Sequence, residues 1–177
     1  MRFESASWRF LRGLIFLRMP DAVSAFVESG NIDRVRAVHG NLHALYRQDI
    51  TKYAPEGLRL VIRDIYDLIP SELGSKNRRF KLSSIQGVKR FAQVTDHFLW
   101  LAKAGVALPA CNVAAPTSPL LFGEQRSLFK LFYLDTGMLM SSYPKGVAQT
   151  VLSGGAAGEF GINMGAAYEG FVAQELK

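Results

Sequence analysis

The chain has 177 residues, of which 49% are hydrophobic and 20% are charged, and its formal net charge is +6. This length and composition predict a soluble globular protein of one or two small domains. The one cysteine, Cys111, excludes an intrachain disulfide framework and a thiolate metal cage, and it favours a reducing, cytoplasmic location. Residues 1–18 carry basic side chains around a short apolar run, which predicts neither a secretory signal peptide nor a membrane-spanning helix.

The basic surplus lies entirely in the first part of the sequence. Residues 1–105 contain 17 Lys and Arg against 10 Asp and Glu, whereas residues 106–177 contain 4 against 5. A one-sided surplus of this kind suits contact with phosphate backbones or with an acidic partner protein. A solvated basic surface without a partner explains the same surplus equally well.

Hydrophobic spacing predicts three helices before residue 70. The first spans residues 20–29 and has a proline at an early position. Asn31 or Asp33 caps a second, longer helix that continues to about residue 52. The third helix runs from about residue 55 to residue 69, and we expect it to end at Pro70 because proline cannot donate the next backbone hydrogen bond.

The middle of the chain predicts an alternation of short strands and helices. Residues 80–85 alternate like a strand, and residues 88–104 have helical spacing. Residues 106–114 and 127–134 read as two strands joined by a loop rich in proline and glycine. Helix, short strand, helix and hairpin in this order resemble a winged-helix arrangement.

The last third of the sequence predicts a strand that runs directly into a helix. Residues 128–134 are almost all apolar, and Asp135 then offers a helix N-cap. A short helix over 147–152 and a glycine-rich linker follow. A final helix from about residue 166 has an apolar stripe that consists of Tyr168, Phe171, Val172 and Leu176.

Five segments together carry a family resemblance. They are YRQDITKY (46–53), IPSELGSKNRRFKLSSI (69–85), WLAKAGV (100–106), FKLFYLDTGML (129–139) and YEGFVAQEL (168–176). In this order they resemble the prokaryotic group of AAA+-type ATPases whose C-terminal half is a domain of unknown function, often ending in a PD-(D/E)XK nuclease-like fold. The resemblance runs from about residue 19 to residue 177.

The predicted elements and the resemblance together imply a mainly α fold with a small β component, organised in five parts. They are an atypical start (1–18), a helical linker or ATPase lid-like remnant (19–54), a winged-helix-like domain (55–143), a glycine-rich linker (144–164) and the first helix of a truncated nuclease-like domain (165–177).

The resemblance also implies that this chain is a non-catalytic fragment. The sequence contains no G-x-x-x-x-G-K-[ST] phosphate loop, so ATP and Mg²⁺ are implied only for intact relatives, and no cofactor or metal is expected here. Glu169 matches the first acidic residue of the nuclease-like fold, but the Asp and Glu-x-Lys that would complete its metal site are expected beyond Lys177.

Two groups of residues predict contact with nucleic acid. Lys76, Arg78, Arg79 and Lys81 flank Phe80 in a basic run that could displace counterions from a phosphate backbone. On the helix over 88–104, the polar face comprises Lys89, Gln93, Asp96, His97, Trp100 and Lys103. From this face Lys89 and Lys103 are expected to contact phosphates and Trp100 to stack on a base or ribose. The alternative is an ordinary charged turn and a tryptophan packed against a neighbouring domain.

Three other hypotheses remain open at this point. The apolar stripe of the last helix, with the helices over 20–52, could dock onto an ATPase core or a second protein chain. Asp135, Thr136 and Gly137 spell the D-T-G triplet of aspartic proteases, although Met138 replaces the small residue that usually follows. His39 and His43 lie four residues apart on a helix, which could place both imidazoles on one metal, although interhelical histidines are commoner.

Overall fold

The computed structural model describes residues 19–114, 123–152 and 164–177, and within them the chain is mainly helical with a small antiparallel sheet, as the sequence predicts. The helices are α1 (Pro20–Ser29), α2 (Ile32–Tyr53), α3 (Arg59–Gly74), α4 (Thr95–Lys103), α5 (Thr136–Ser141), α6 (Val147–Leu152) and α7 (Gly165–Glu175). The strands are β1 (Ala107–Val113) and β2 (Glu124–Tyr133). None of the described helices is long and apolar enough to cross a bilayer.

The chain forms two compact units. Arg47–Leu134 makes up one, here called the central unit. The segments before and after it, up to Tyr46 and from Asp135, make up the other, here called the terminal unit. The domain boundaries implied by the family resemblance stay a prediction.

The terminal unit contains α1, the first part of α2, and α5 to α7. Its α1 begins at Pro20 and ends at Ser29. The next residue, Gly30, caps the helix: its φ of 60° is left-handed, and its N–H donates to the Phe26 carbonyl at 2.7 Å. Asn31 then accepts the Asp33 N–H at 2.8 Å, which confirms a cap before α2. The core of this unit comprises Ala22, Ile32, Val35, Met140, Val147, Ala148 and Ala167.

The central unit packs the β1–β2 hairpin against α3 and α4. The strands predicted over 106–114 and 127–134 are confirmed, although β2 begins earlier, at Glu124. Four phenylalanines form an aromatic cluster in this unit, with ring centroids 4.8 to 5.9 Å apart in neighbouring pairs. They are Phe80, Phe91, Phe98 and Phe129. Each such pair contributes about 0.5–1.5 kcal/mol beyond the burial of its surface.

The expected end of the third helix at Pro70 is wrong, because α3 continues through Pro70 to Gly74. A proline inside a helix leaves the carbonyl four residues before it without its usual donor, and here that carbonyl belongs to Tyr66. The hydroxyl of Tyr133, at the end of β2, donates to the Tyr66 carbonyl at 3.1 Å. A hydrogen bond between residues 67 apart in the sequence therefore replaces the missing helical hydrogen bond. The helical spacing of apolar residues cannot reveal such a long-range contact.

Two other expected elements differ in the structure. No strand forms over 80–85; instead a 3-10 turn occupies Leu82–Ser84. The helix expected over 88–104 begins only at Thr95, after a separate 3-10 turn at Phe91–Gln93. The Gln93 side chain accepts both the Lys89 and the Arg90 N–H at 2.9 Å, so these two backbone groups are held outside the helix.

We predict that Pro70 and Tyr133 are energetically coupled. Tyr133→Phe removes the donor to the buried Tyr66 carbonyl and should lower the free energy of unfolding by about 1–2 kcal/mol. In a Pro70→Ala background the introduced alanine has a backbone N–H that can donate to the same carbonyl, so the same change should cost clearly less. Urea unfolding of the wild type, the two single variants and the double variant measures this coupling. An equal loss of unfolding free energy from Tyr133→Phe in both backgrounds would contradict it.

Candidate nucleic-acid interface

A buried carboxylate at the end of α3 holds the basic run in one conformation. Glu72 is 7% exposed, and its Oε2 accepts the Lys81 N–H at 3.0 Å. Its Oε1 accepts the Ser84 hydroxyl at 2.5 Å, and its carbonyl accepts the Ser75 hydroxyl at 2.7 Å. Because these partners lie on both sides of residues 76–79, Glu72 ties the two ends of this segment, here called the basic turn, to α3.

Phe80 joins the basic turn to the hairpin. The Phe80 N–H donates to the Phe129 carbonyl on β2 at 3.0 Å. The two rings are stacked at a centroid distance of 5.8 Å and an interplanar angle of 9°, and Phe80 is 4% exposed. An apolar anchor therefore lies in the middle of the basic run, with charged residues on each side of it.

The charged residues of this run face outward, as predicted. Lys76, Arg79 and Lys81 are exposed, and Arg78 is partly exposed. Arg78 has a φ of 49°, a left-handed conformation that a residue with a side chain adopts at a cost, and its N–H donates to the Ser75 carbonyl at 3.1 Å. Backbone strain of this kind persists only where the surrounding hydrogen bonds hold it, and it is commonest at functional sites.

The remaining residues predicted to bind nucleic acid lie in two other depressions of the central unit. Lys89 is exposed and lines one of them, together with Arg90 and Gln93. Trp100 is half-buried and lines a second, of about 310 Å³, with the exposed Lys103. Asp96 and Leu99 share that second depression, so it is less basic than the turn.

The prediction that His97 belongs to the polar face of this helix is wrong. His97 is 6% exposed and lies on the buried side of α4 with Phe98 and Leu101. Burial lowers the pKa of its imidazole, although the nearby Asp96 and a hydrogen bond with Val94 raise it. His97 is therefore a core residue and cannot contact a groove.

Sequence reasoning missed three polar residues, one within the basic turn and two beside it. Asn77, Asn112 and Lys130 line a cleft of about 360 Å³ together with Arg79. Lys130 is the only charged residue within the apolar run over 128–134. That isolation in a strand is the signal that could have identified it, since a lysine at such a position faces outward.

The D-T-G triplet has a structural role in the terminal unit. Asp135 is 5% exposed and caps α5, because its Oδ1 accepts the Gly137 N–H at 2.6 Å. Gly137 lies so close to α2 that a Cβ atom on it would come within 2.5 Å of the His39 ring. Asp135 is therefore explained as the cap of α5, and Gly137 by the close approach of α5 to α2.

The two histidines of α2 contact α5 and its cap. His43 Nε2 lies 3.1 Å from the Met138 carbonyl, and His39 Nε2 lies 3.7 Å from Asp135 Oδ1. His39 is 1% exposed, and its Nε2 has no hydrogen-bond partner among the described residues. Burial, and secondarily positive charge on His43 and Arg36, lowers the pKa of His39 to about 4. In the residues that the structure describes, no group of three or more His, Cys, Asp or Glu is placed to hold a metal ion.

Arg36 completes the attachment of α5 to α2. Its guanidinium donates to the carbonyls of Met140, Ser141 and Tyr143 at 3.4, 3.1 and 2.9 Å. These carbonyls lie at and just after the end of α5, where a cation is favourable. One face of α2 thus holds both ends of this short helix.

The chain matches the family model of a domain of unknown function, DUF8612, over residues 9–146. The chain belongs to this family. No curated protein and no solved structure matches it. The DUF8612 match includes the basic turn, α4 and both strands, and it ends before α7.

Substitution of Gly137 should separate a packing requirement from ordinary helix propensity. Gly137→Ala places a methyl group against His39 and Asp135 and should destabilise the protein by about 1–3 kcal/mol. The matched control is Gly40→Ala in α2, where nothing lies within 4 Å of the added Cβ, and it should stabilise by about 0.5–1 kcal/mol. Thermal unfolding distinguishes them; a neutral Gly137→Ala would show that the close approach is not required.

The stability of the protein should decrease in mild acid because of His39. Between pH 6.5 and about 4 the unfolded chain protonates this imidazole while the folded chain keeps it neutral, so the free energy of unfolding falls as the pH falls through this range. The loss should reach about 3 kcal/mol at the lower end. Urea midpoints measured across this range should depend much less on pH in His39→Asn than in the wild type. An unchanged pH dependence in this variant would disprove the assignment.

Proposed function

We propose that this DUF8612 chain is a non-catalytic nucleic-acid-binding module. The observation that carries the proposal is the basic turn, in which a buried carboxylate and a buried phenylalanine hold the backbone while cationic side chains stay exposed. Because the backbone is already held, the turn loses little backbone freedom on binding, so its exposed cations suit a phosphate backbone.

The order of elements in the central unit supports a winged-helix-like interpretation. Helices α3 and α4 precede the β1–β2 hairpin, and the hairpin packs against both of them. In this interpretation α4 is the helix that approaches a groove, with Lys103 and Trp100 on it, and the hairpin is the wing. The central unit thus carries every residue for which we propose contact with nucleic acid.

The relation to AAA+-type ATPases is part of the same proposal and depends on the five sequence segments. In an intact relative this region would couple the nucleotide state of an ATPase module to nucleic acid or a partner. We propose no catalytic role for Glu169, which is partly buried on α7, or for Asp135, which caps α5. The chain would then bind without turnover of ATP, nucleic acid or protein.

Salt dependence tests the proposal directly. A surface that makes about four phosphate contacts should lose roughly 100-fold in affinity between 50 and 200 mM salt. Anisotropy titrations with a labelled duplex and a labelled single strand measure this loss. The double variant Arg79→Gln/Lys81→Gln should reduce the slope by about two contacts. The control variant Lys145→Gln/Lys177→Gln also removes two positive charges, at exposed positions of the terminal unit. It should leave the salt dependence of binding unchanged. No salt-sensitive binding to either probe would refute the proposal.

A protein interaction module is the second candidate, and exposed apolar residues on α7 and at its C-cap favour it. Tyr168, Val172 and Leu176 recur every four residues and are 36%, 53% and 82% exposed. This spacing places them on one face of the helix, which is the pattern of a docking surface.

The docking candidate predicts a different response to salt and mutation. Apolar docking should persist at moderate salt, because screening acts mainly on charges. Val172→Asp should abolish capture of a protein partner, whereas Arg79→Gln should not. Loss of the interaction in Arg79→Gln with retention in Val172→Asp would exclude this candidate.

A further inference from the structure

We infer that the cleft between the basic turn and the hairpin is a binding site for one phosphate group, which in the function proposed above belongs to a nucleic-acid backbone. Asn77 and Arg79 come from the turn, Asn112 from β1 and Lys130 from β2. The residues that line the cleft support the site itself, and only the source of the phosphate rests on the proposed function.

The pairing of Phe80 with β2 explains why two cations line the same cleft. Phe80 and Phe129 are joined by a backbone hydrogen bond, and both rings are buried. Side chains alternate between the faces of extended backbone, so the next residues, Arg79 and Lys130, lie on the opposite, outer face. Lys130 pairs with Ala110 on β1, whose small side chain leaves space beside it.

The polar groups of the cleft are those that phosphate requires. A guanidinium offers paired donors in a fixed plane, an ammonium offers a point charge, and amides donate without adding charge. Asn112 is held in place because its Nδ2 donates to Gln125 Oε1 at 2.7 Å across the hairpin. Among the described residues that line the cleft, none is acidic.

The size of the cleft favours a phosphate that is part of a larger molecule. Its volume is about 360 Å³ and it is open to solvent on one side, so it can admit more than a single phosphate group. A phosphodiester with its adjoining sugar occupies such a space better than a free inorganic phosphate does. Arg79 directly follows the strained Arg78 in a turn that the Glu72 hydrogen bonds hold to α3.

Two variants outside the basic turn test the site. Lys130→Gln removes one of the two cations that share this phosphate, so it should weaken binding of a labelled oligonucleotide and reduce the slope of log K against log salt by at most about one contact. Asn112→Leu removes the amide without changing charge and should weaken binding about ten-fold or more at unchanged slope. Lys145→Gln is the control for charge and should change neither quantity. Circular dichroism of each variant confirms that it is folded before binding is compared.

The outcomes separate the site from the proposed function. If the full chain binds the oligonucleotide and both variants bind like the wild type, the phosphate site is wrong and the proposed function stands. If the full chain binds no nucleic acid, the proposed function fails, and titration with inorganic pyrophosphate then judges the cleft alone. A rise in Tm with pyrophosphate that Lys130→Gln removes would support a phosphate site for a small ligand, and no rise would overturn it.

Discussion

The exposed basic turn of the central unit depends on the hydrogen bonds of the buried Glu72 carboxylate. Removing a carboxylate from water costs several kcal/mol unless hydrogen bonds replace its hydration. Here the Lys81 N–H and the Ser84 hydroxyl provide that replacement. Both donors lie beyond the basic turn, so the chain must reverse direction between Glu72 and Lys81, and this reversal presents four cations on a short segment. The carboxylate that holds the turn is itself withdrawn from the surface, where its charge would oppose an anionic ligand.

The same helix is joined to the hairpin by a second polar contact. Pro70 leaves the Tyr66 carbonyl without a helical donor, and Tyr133 supplies one from the end of β2. The Tyr66 and Tyr133 rings also lie 5.0 Å apart. Together with Glu72, these contacts fix the last turns of α3 relative to both the hairpin and the basic turn. The terminal unit uses polar contacts differently, since Arg36 and the histidines of α2 attach a short helix that cannot stand alone.

Local signals in the sequence predicted much of the fold, and long-range contacts account for the rest. The start of α1 at Pro20, the cap at Asn31 and the hairpin follow from capping and alternation, which act over a few residues. The continuation of α3 through Pro70 could not be predicted, because it depends on Tyr133. The exposed cations of the basic turn were predicted from charge alone. Lys130 was missed: its isolation in an apolar strand indicates an outward side chain, but only the pairing of Phe80 with β2 places it beside the turn.

Glu72 is proposed to act by positioning the cations, and the variant Glu72→Ala tests this role most directly. By charge alone, loss of a carboxylate beside a basic turn should strengthen binding to an oligonucleotide. A positioning role predicts the reverse: weaker binding, faster amide hydrogen exchange over residues 76–81 and about 1–3 kcal/mol of lost stability. Glu56→Ala, the same change at an exposed site in the central unit, should show none of these losses. Equal or tighter binding by Glu72→Ala, with unchanged exchange in the turn, would contradict the positioning role.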